Sequence, residues 1–438
     1  MPPSGTLAEA LLAPGAPAAL AADLRSKLIK PIATNLVERP WGGTMIREFK
    51  GLSPLPEPAE RPRQRLGEAF EIAACDADRE AREFPSRVRL ADGSVISLAD
   101  LLAAHGETLL GAEFVARHGA GFPLLPKILD IKELLSVQAH PPGHTEVYVI
   151  IAAEPGATIR VGFSSDIDAG SMKARLRHGL DDQLRLLDLL QPGADAAGLQ
   201  SVVAEWFAGP SARPEELESA LVPRFVPAGR WSAASGLLED LKALYAEVLD
   251  TLNAIPVTPG QVIHNATPQR LLAVSGRVAS AEVHALGNPE RREILALEIR
   301  RPGPTLRAWD NVRFPVRPVD VDAAFDAMNL SSTEPGEFLV TPTPVAGRPG
   351  AFVSVDSEFF RIEHLRPTPS IVVTVPSEPP HCLHALSGRV VVRCADGVEI
   401  GRLARGESAL VPACVGAYGV STDAESAEIV KASPRAVA

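Results

Sequence analysis

The sequence predicts a mainly β protein with a helical insertion: two β-sandwich or barrel domains and an α-helical unit set between strand-rich stretches. Three observations predict it. The chain carries 40 prolines and 34 glycines, a density that favours short strands and tight turns over long bundles. Short apolar runs alternate with turn signals over most of its length. One interval, from Ser164 to about Leu252, instead repeats apolar residues at i, i+3 and i+4. With 438 residues, 46% hydrophobic and 22% charged, there is material for more than one core.

Residues 1–29 read as an Ala- and Pro-rich N-terminal extension with some helix; it has no basic region ahead of its apolar stretch, unlike a secretory signal. A β-rich block follows from 30 to 163, with GEAFEIAACD, the VRLADGSVISL hairpin turning at Asp92-Gly93, LSVQAHP and EVYVIIAAEPGATIRVGF. Residues 164–252 hold three amphipathic helices, in MKARLRHGLDDQLRLLDLL, AGLQSVVAEWFAG and SGLLEDLKALYAEVLDTL. The strand pattern resumes over 253–335 with PVTPGQVIHNAT, RLLAVSG, VASAEVHALG and EILALEIRR, so the first β domain is expected to be discontinuous, closed by a short helix in VDVDAAFDAMNL. Residues 336–438 read as a second β domain of six or more strands.

Lys+Arg 43 against Asp+Glu 54 leaves a net charge of -11, the wrong sign for a nonspecific nucleic-acid binder. The four cysteines show no CxxC spacing and are too sparse for a disulfide framework, which favours a reducing, cytoplasmic setting. No apolar run reaches the ~18 residues of a membrane span.

The densest chemical signal lies between Phe122 and Ile151. Gln138 and His140 are two residues apart, so on a strand both project from one face. Glu146 opens the next strand, where a turn through PPGH folds it back beside them. An amide oxygen, an imidazole and a carboxylate suit a divalent metal such as Zn²⁺; the same pattern is also that of an ordinary polar strand face. His144, in the turn, reads as solvent-facing. In the last domain His381, His384, Glu363 and His364 read as packing residues rather than a second metal centre.

FPLLPKILDIKELLSVQAHP resembles the block FPLLxKxLDxxxxLSxQxHP of the type I phosphomannose isomerases, zinc-dependent enzymes with two cupin-type β-sandwich (jelly-roll) domains. ERPWGG, GEAFEI, TEVYVI and ILALEIRRPGPTLRAWD fall in family order around it. The resemblance implies interconversion of mannose 6-phosphate and fructose 6-phosphate through a cis-enediol, with a small sugar phosphate as partner and one Zn²⁺ per chain, or another divalent metal. It implies metal ligands Gln138, His140, Glu146 and His284, with His264 as competitor for the fourth place. It implies catalytic roles for Arg307, Glu298 and Lys127, and a substrate-binding surface of Trp41, Ser136 and Lys132, with Lys127 and Lys132 as rivals to Glu298 for the proton transfer. No nucleic-acid or membrane partner is expected, and the chain is expected to act as a monomer or weak homo-oligomer. The alternatives are a noncatalytic sugar-binding protein of the same fold and an isomerase of a related sugar phosphate.

Overall fold

The computed structural model describes residues 6–16, 21–33, 35–52, 65–75, 78–208, 214–222, 224–266 and 280–435. Two pairs of antiparallel sheets dominate it. The first pair joins a seven-stranded sheet, ordered Leu36–Gly43, Leu66–Phe70, Leu125–Ile131, Ile294–Arg300, Glu146–Ala153, Val262–Asn265 and Leu339–Val340, to a five-stranded one. The latter runs Leu306–Trp309, Val137–Ala139, His284–Ala285, Thr158–Phe163 and Leu252–Pro256. The second pair comprises a six-stranded and a four-stranded sheet between Thr343 and Pro434. Leu339–Val340, which the sequence assigns to the last domain, is instead an edge strand of the first, paired with Val262–Asn265. The strand expected in RLLAVSG lies outside the described residues.

Alternation along one strand shows how the layers are built. In Ile294–Arg300 the residues Leu295, Leu297 and Ile299 face outward and share a core with Val355, Phe360, Ile362 and Val430 of the C-terminal six-stranded sheet. Ile294 and Ala296 face inward, into an apolar floor with Leu129, Ile150, Ile159 and Ile263. Further along that inner face come Glu298 and Arg300, which line a cleft. The period of two thus puts an apolar plug at one end of the sandwich and charge at the other.

The five-stranded sheet follows the same rule. Val137 and Ala139 turn outward, into a core with Leu238, Leu241 and Leu244 of the helix Trp231–Asp250. Helices Ala169–Leu189, Ala196–Ala208, Pro214–Leu221 and Trp231–Asp250 form this layer. Helices Leu98–Leu110 and Ala112–His118 lie within the stretch read as β-rich. Ser97 caps the first, and its buried Leu98, Leu101, Leu102 and Leu109 repeat at helical spacing, a pattern masked in the sequence by the hairpin just before it. Among the described residues no helix is long and apolar enough to cross a membrane.

Candidate active site

A cleft opens between the two sheets of the first pair. Backbone register dictates what faces it. On the five-stranded sheet His284 pairs with Gln138, and Gln138 with Arg307, so these three side chains stand in one row across neighbouring strands. On the seven-stranded sheet Lys127 pairs with Glu298, and Arg300 with Glu146, which sets a second, charged row opposite. Trp41 and Ser136, both buried, complete the wall.

His140, Glu146 and His284 are almost wholly buried, and their polar atoms converge. His140 Nε2 lies 2.9 Å from Glu146 Oε1, and His284 Nε2 lies 3.4 Å from Glu146 Oε2. The far side of each ring is fixed by main chain: His140 Nδ1 is 3.1 Å from the Pro304 carbonyl and His284 Nδ1 is 2.9 Å from the Glu282 carbonyl. A carbonyl only accepts, so each Nδ1 carries a proton and donates it, which turns Nε2 toward the Glu146 carboxylate, where it takes either a proton or a cation. Lone pairs directed at an anion repel unless positive charge lies between them. Nδ1 anchoring of this kind is also how metal-binding histidines are oriented, and His140 Nε2 is buried without a hydrogen-bond partner. The donor set of two imidazoles, a carboxylate and the nearby half-buried Gln138 therefore fits a divalent cation of the zinc type.

His144 corrects the sequence reading. It is not solvent-facing but 4% exposed, with its ring stacked on His140 at 4.2 Å between centroids and its Nε2 3.7 Å from Glu146 Oε1. His140, His144 and Glu146 are the one group of three potential ligand side chains close enough to share an ion among the described residues. The short turn pulls His144 inward, because its carbonyl accepts from Ala281 N and Gly303 closes over its ring. Burial holds its imidazole neutral, down to about 4. His264 occupies the opposite face of its strand: its neighbour Asn265 pairs with Glu146, while His264 approaches the Phe360 ring of the C-terminal sheet at 6.3 Å.

The charged row is tightly compensated. Lys127 Nζ sits 2.9 Å from Glu298, 3.2 Å from Glu68 and 3.6 Å from Glu80. Burial alone would favour the neutral amine, but the three carboxylates outweigh it and hold Lys127 protonated. Glu298 is shifted the other way: burial and the charge of Glu146 overcome Lys127 and Arg300 and lift its carboxyl above the usual range. Arg300, missed as a first-choice site residue, is 2% exposed and anchored by Asp78 at 3.1 Å and Glu80 at 3.3 Å. Asp78 and Glu80 belong to the N-terminus of a short helix, Arg79–Glu83, and carry no local signal of a site.

Arg307 differs from the other cleft arginines. Arg39 is held by Glu68, and Arg317 by Asp310, whereas Arg307 Nε has no partner, and burial together with Arg317 depresses its pKa. Its positive charge is the least neutralised in the cleft. Lys132 does not join this site. It follows the end of the strand Leu125–Ile131 and pairs with Glu154 at 3.2 Å and Glu293 at 3.3 Å. His381, His384, Glu363 and His364 do not converge either: His381 contacts the Tyr418 hydroxyl at 2.6 Å, His384 Ser408 at 2.7 Å, Glu363 Lys431 at 2.9 Å, and His364 Glu428 at 3.0 Å.

Residues 30–156 match the family model described as phosphomannose isomerase type I, catalytic domain. The mannose-6-phosphate isomerase of Streptococcus mutans is 31% identical over 136 residues, 28% of this chain and 36% of that protein; the YvyI protein of Bacillus subtilis is 31% identical over 140 residues, 29% of this chain and 39% of its own length. The aligned part thus spans under two fifths of these curated relatives. Among solved structures, the mannose 6-phosphate isomerase of Bacillus subtilis superposes with a TM-score of 0.59 at 18% identity, covering 93% of this chain and 99% of that one. A phosphomannose isomerase mutant from Salmonella typhimurium gives 0.58 at 16%, covering 93% and 100%. These likenesses establish the mainly β fold with its helical part.

Proposed function

We propose that this chain, whose residues 30–156 are related to the catalytic domain of type I phosphomannose isomerases, interconverts mannose 6-phosphate and fructose 6-phosphate. The observation that carries the reading is the pairing of that match with a cleft in which the buried Glu146, with His140, His144 and His284 around it, faces Lys127, Glu298 and Arg307. Gln138, His140, Glu146 and His284 would hold one divalent ion, zinc on chemical grounds, with His144 packed against His140. Bound there, the ion would supply Lewis-acid polarisation of the sugar carbonyl.

The chain's own groups divide the remaining work. Glu298, with its raised proton affinity, is the base that carries a proton between C2 and C1, since a carboxylate brought towards neutrality is a better proton acceptor. Lys127, kept protonated, donates to a sugar oxygen as negative charge builds there. Arg307 offers its under-neutralised guanidinium to the phosphate or the enediolate oxygen. Trp41 and Ser136 shape the pocket around the sugar. A cytoplasmic location and action as a monomer or weak homo-oligomer belong to the same proposal.

Arg307→Ala separates substrate binding from metal binding. The variant is expected to keep its fold and its metal but to lose roughly two to four orders of magnitude in kcat/KM on mannose 6-phosphate, the effect of a lost charge-assisted contact in the transition state. Arg307→Lys should fall between, restoring charge without the two-pronged geometry. Near-normal kinetics in Arg307→Ala would remove this residue from the mechanism.

A further inference from the structure

A small second cavity lies away from the cleft, between the helices Ala196–Ala208 and Trp231–Asp250 and the loops that follow the His284 and Arg307 strands. Its polar lining includes the carboxylate of Glu133 together with Tyr245, Arg291, Asn311 and Arg313. Arg313 is 3% exposed, yet its Nε and Nη1 have no hydrogen-bond partner. Its nearest carboxylate, Asp310 at 3.7 Å, already accepts both prongs of Arg317. Arg291 gives Nη2 to Glu133 at 3.0 Å, and its Nε is also without a partner. The buried Asn311 Oδ1 lacks a donor.

Backbone strain gathers at the same place. Among the described residues, the two non-glycine positions with positive φ are Arg291 at 56° and Asn311 at 53°, and both line this cavity. Asn adopts the left-handed region readily, but at Arg291 it persists only where the surroundings impose it, as happens at ligand sites. A buried guanidinium with two unused N–H groups asks for an oxyanion. The unused Asn311 oxygen asks for a donor on the same ligand.

We infer that this cavity is a second, noncatalytic binding site for a small hydroxylated oxyanion of the phosphate class. The oxyanion would accept from Arg313 and Arg291 and return its own O–H to Asn311. Sulfate, which is fully ionised at neutral pH and has no proton to give, would be the poorer ligand. The inference does not depend on the isomerase reading, since none of these residues lines the cleft.

The test measures binding of inorganic phosphate to the full chain by equilibrium dialysis. Because the cleft itself is expected to take phosphate, binding is followed in Arg307→Ala, where the second site should remain. Adding Arg313→Met should weaken that remaining binding roughly ten- to hundredfold, the range for a lost hydrogen bond to a charged group. Arg291→Gln, at a half-buried loop position that does not risk the fold, should weaken it in the same direction. Phosphate binding that vanishes in Arg307→Ala alone, or that persists unchanged in both Arg313→Met and Arg291→Gln, would overturn the inference and leave the cavity to water. Equal competition by sulfate would overturn the assignment to a hydroxylated ligand.

Discussion

His284 and His264 differ in which side of a sheet they reach. His284 points its Nε2 at Glu146, while His264 packs toward Phe360, where burial alone lowers its pKa to about 4. His284→Ala is therefore expected to weaken divalent-metal affinity by roughly a hundredfold or more, and His264→Ala to leave it unchanged, as read by competition with a chromogenic chelator. The opposite pattern would move the fourth ligand to His264. At this scale the sequence was legible wherever parity governs: Gln138 and His140 share a face because they are two residues apart, and that spacing is visible in one strand. The inward turn of His144 was not, because it depends on Gly303 and Ala281, more than 130 residues away, closing over a short loop. Lys132 failed for the complementary reason, since likeness of motif placed it near Lys127 while it lies past the end of that strand, held by Glu154 and Glu293.

Between elements, the end of strand Leu125–Ile131 meets the helix Met45–Phe49 through two carboxyl groups. Asp130 Oδ2 accepts from Ile46 N at 2.7 Å, and Glu293 Oε1 accepts from Thr44 N at 2.7 Å and Met45 N at 3.1 Å. Burial and the neighbouring Glu293 charge push Asp130 up to about 8, so near neutral pH it carries a proton in the folded state. An unfolded aspartate ionises near about 4. Between those values the folded chain binds more protons than the unfolded one, so stability falls as pH rises across about 4 to 8, by at most about 1.4 kcal/mol per unit from this group. Asp130→Asn keeps an oxygen for Ile46 N and supplies a permanent N–H in place of the shared proton. Denaturant unfolding at pH 5 and pH 8 should show the variant gaining on wild type at the higher pH; an unchanged difference would contradict the shared-proton reading. Glycine enforces the closeness, because a Cβ at Gly43 would collide with Asp130 Oδ1.

Across the whole molecule, the sheet that builds the cleft is also the sheet that packs on the C-terminal sandwich, through Leu295, Leu297 and Ile299 on one face while Glu298 and Arg300 serve the other. A polar chain reinforces that contact: Lys50 pairs with Glu71 at 2.6 Å, and Glu71 accepts from Ser408, which also contacts His384. The mainly β character and the helical interval were legible because both periodicities run for many residues. The helices at 98–118 were obscured by the hairpin beside them. Asp78, Glu80 and Arg300 were hidden because their meaning arises only where a short helix is brought against a distant strand.

The most direct measurement is a coupled assay of mannose 6-phosphate conversion to fructose 6-phosphate by the purified chain, before and after dialysis against a chelator and again after returning Zn²⁺. The site predicts turnover that is lost with the metal and restored by it. Turnover indifferent to chelation would contradict a metal site at Glu146 and its surrounding histidines, and no conversion by metal-loaded protein would contradict the isomerase itself.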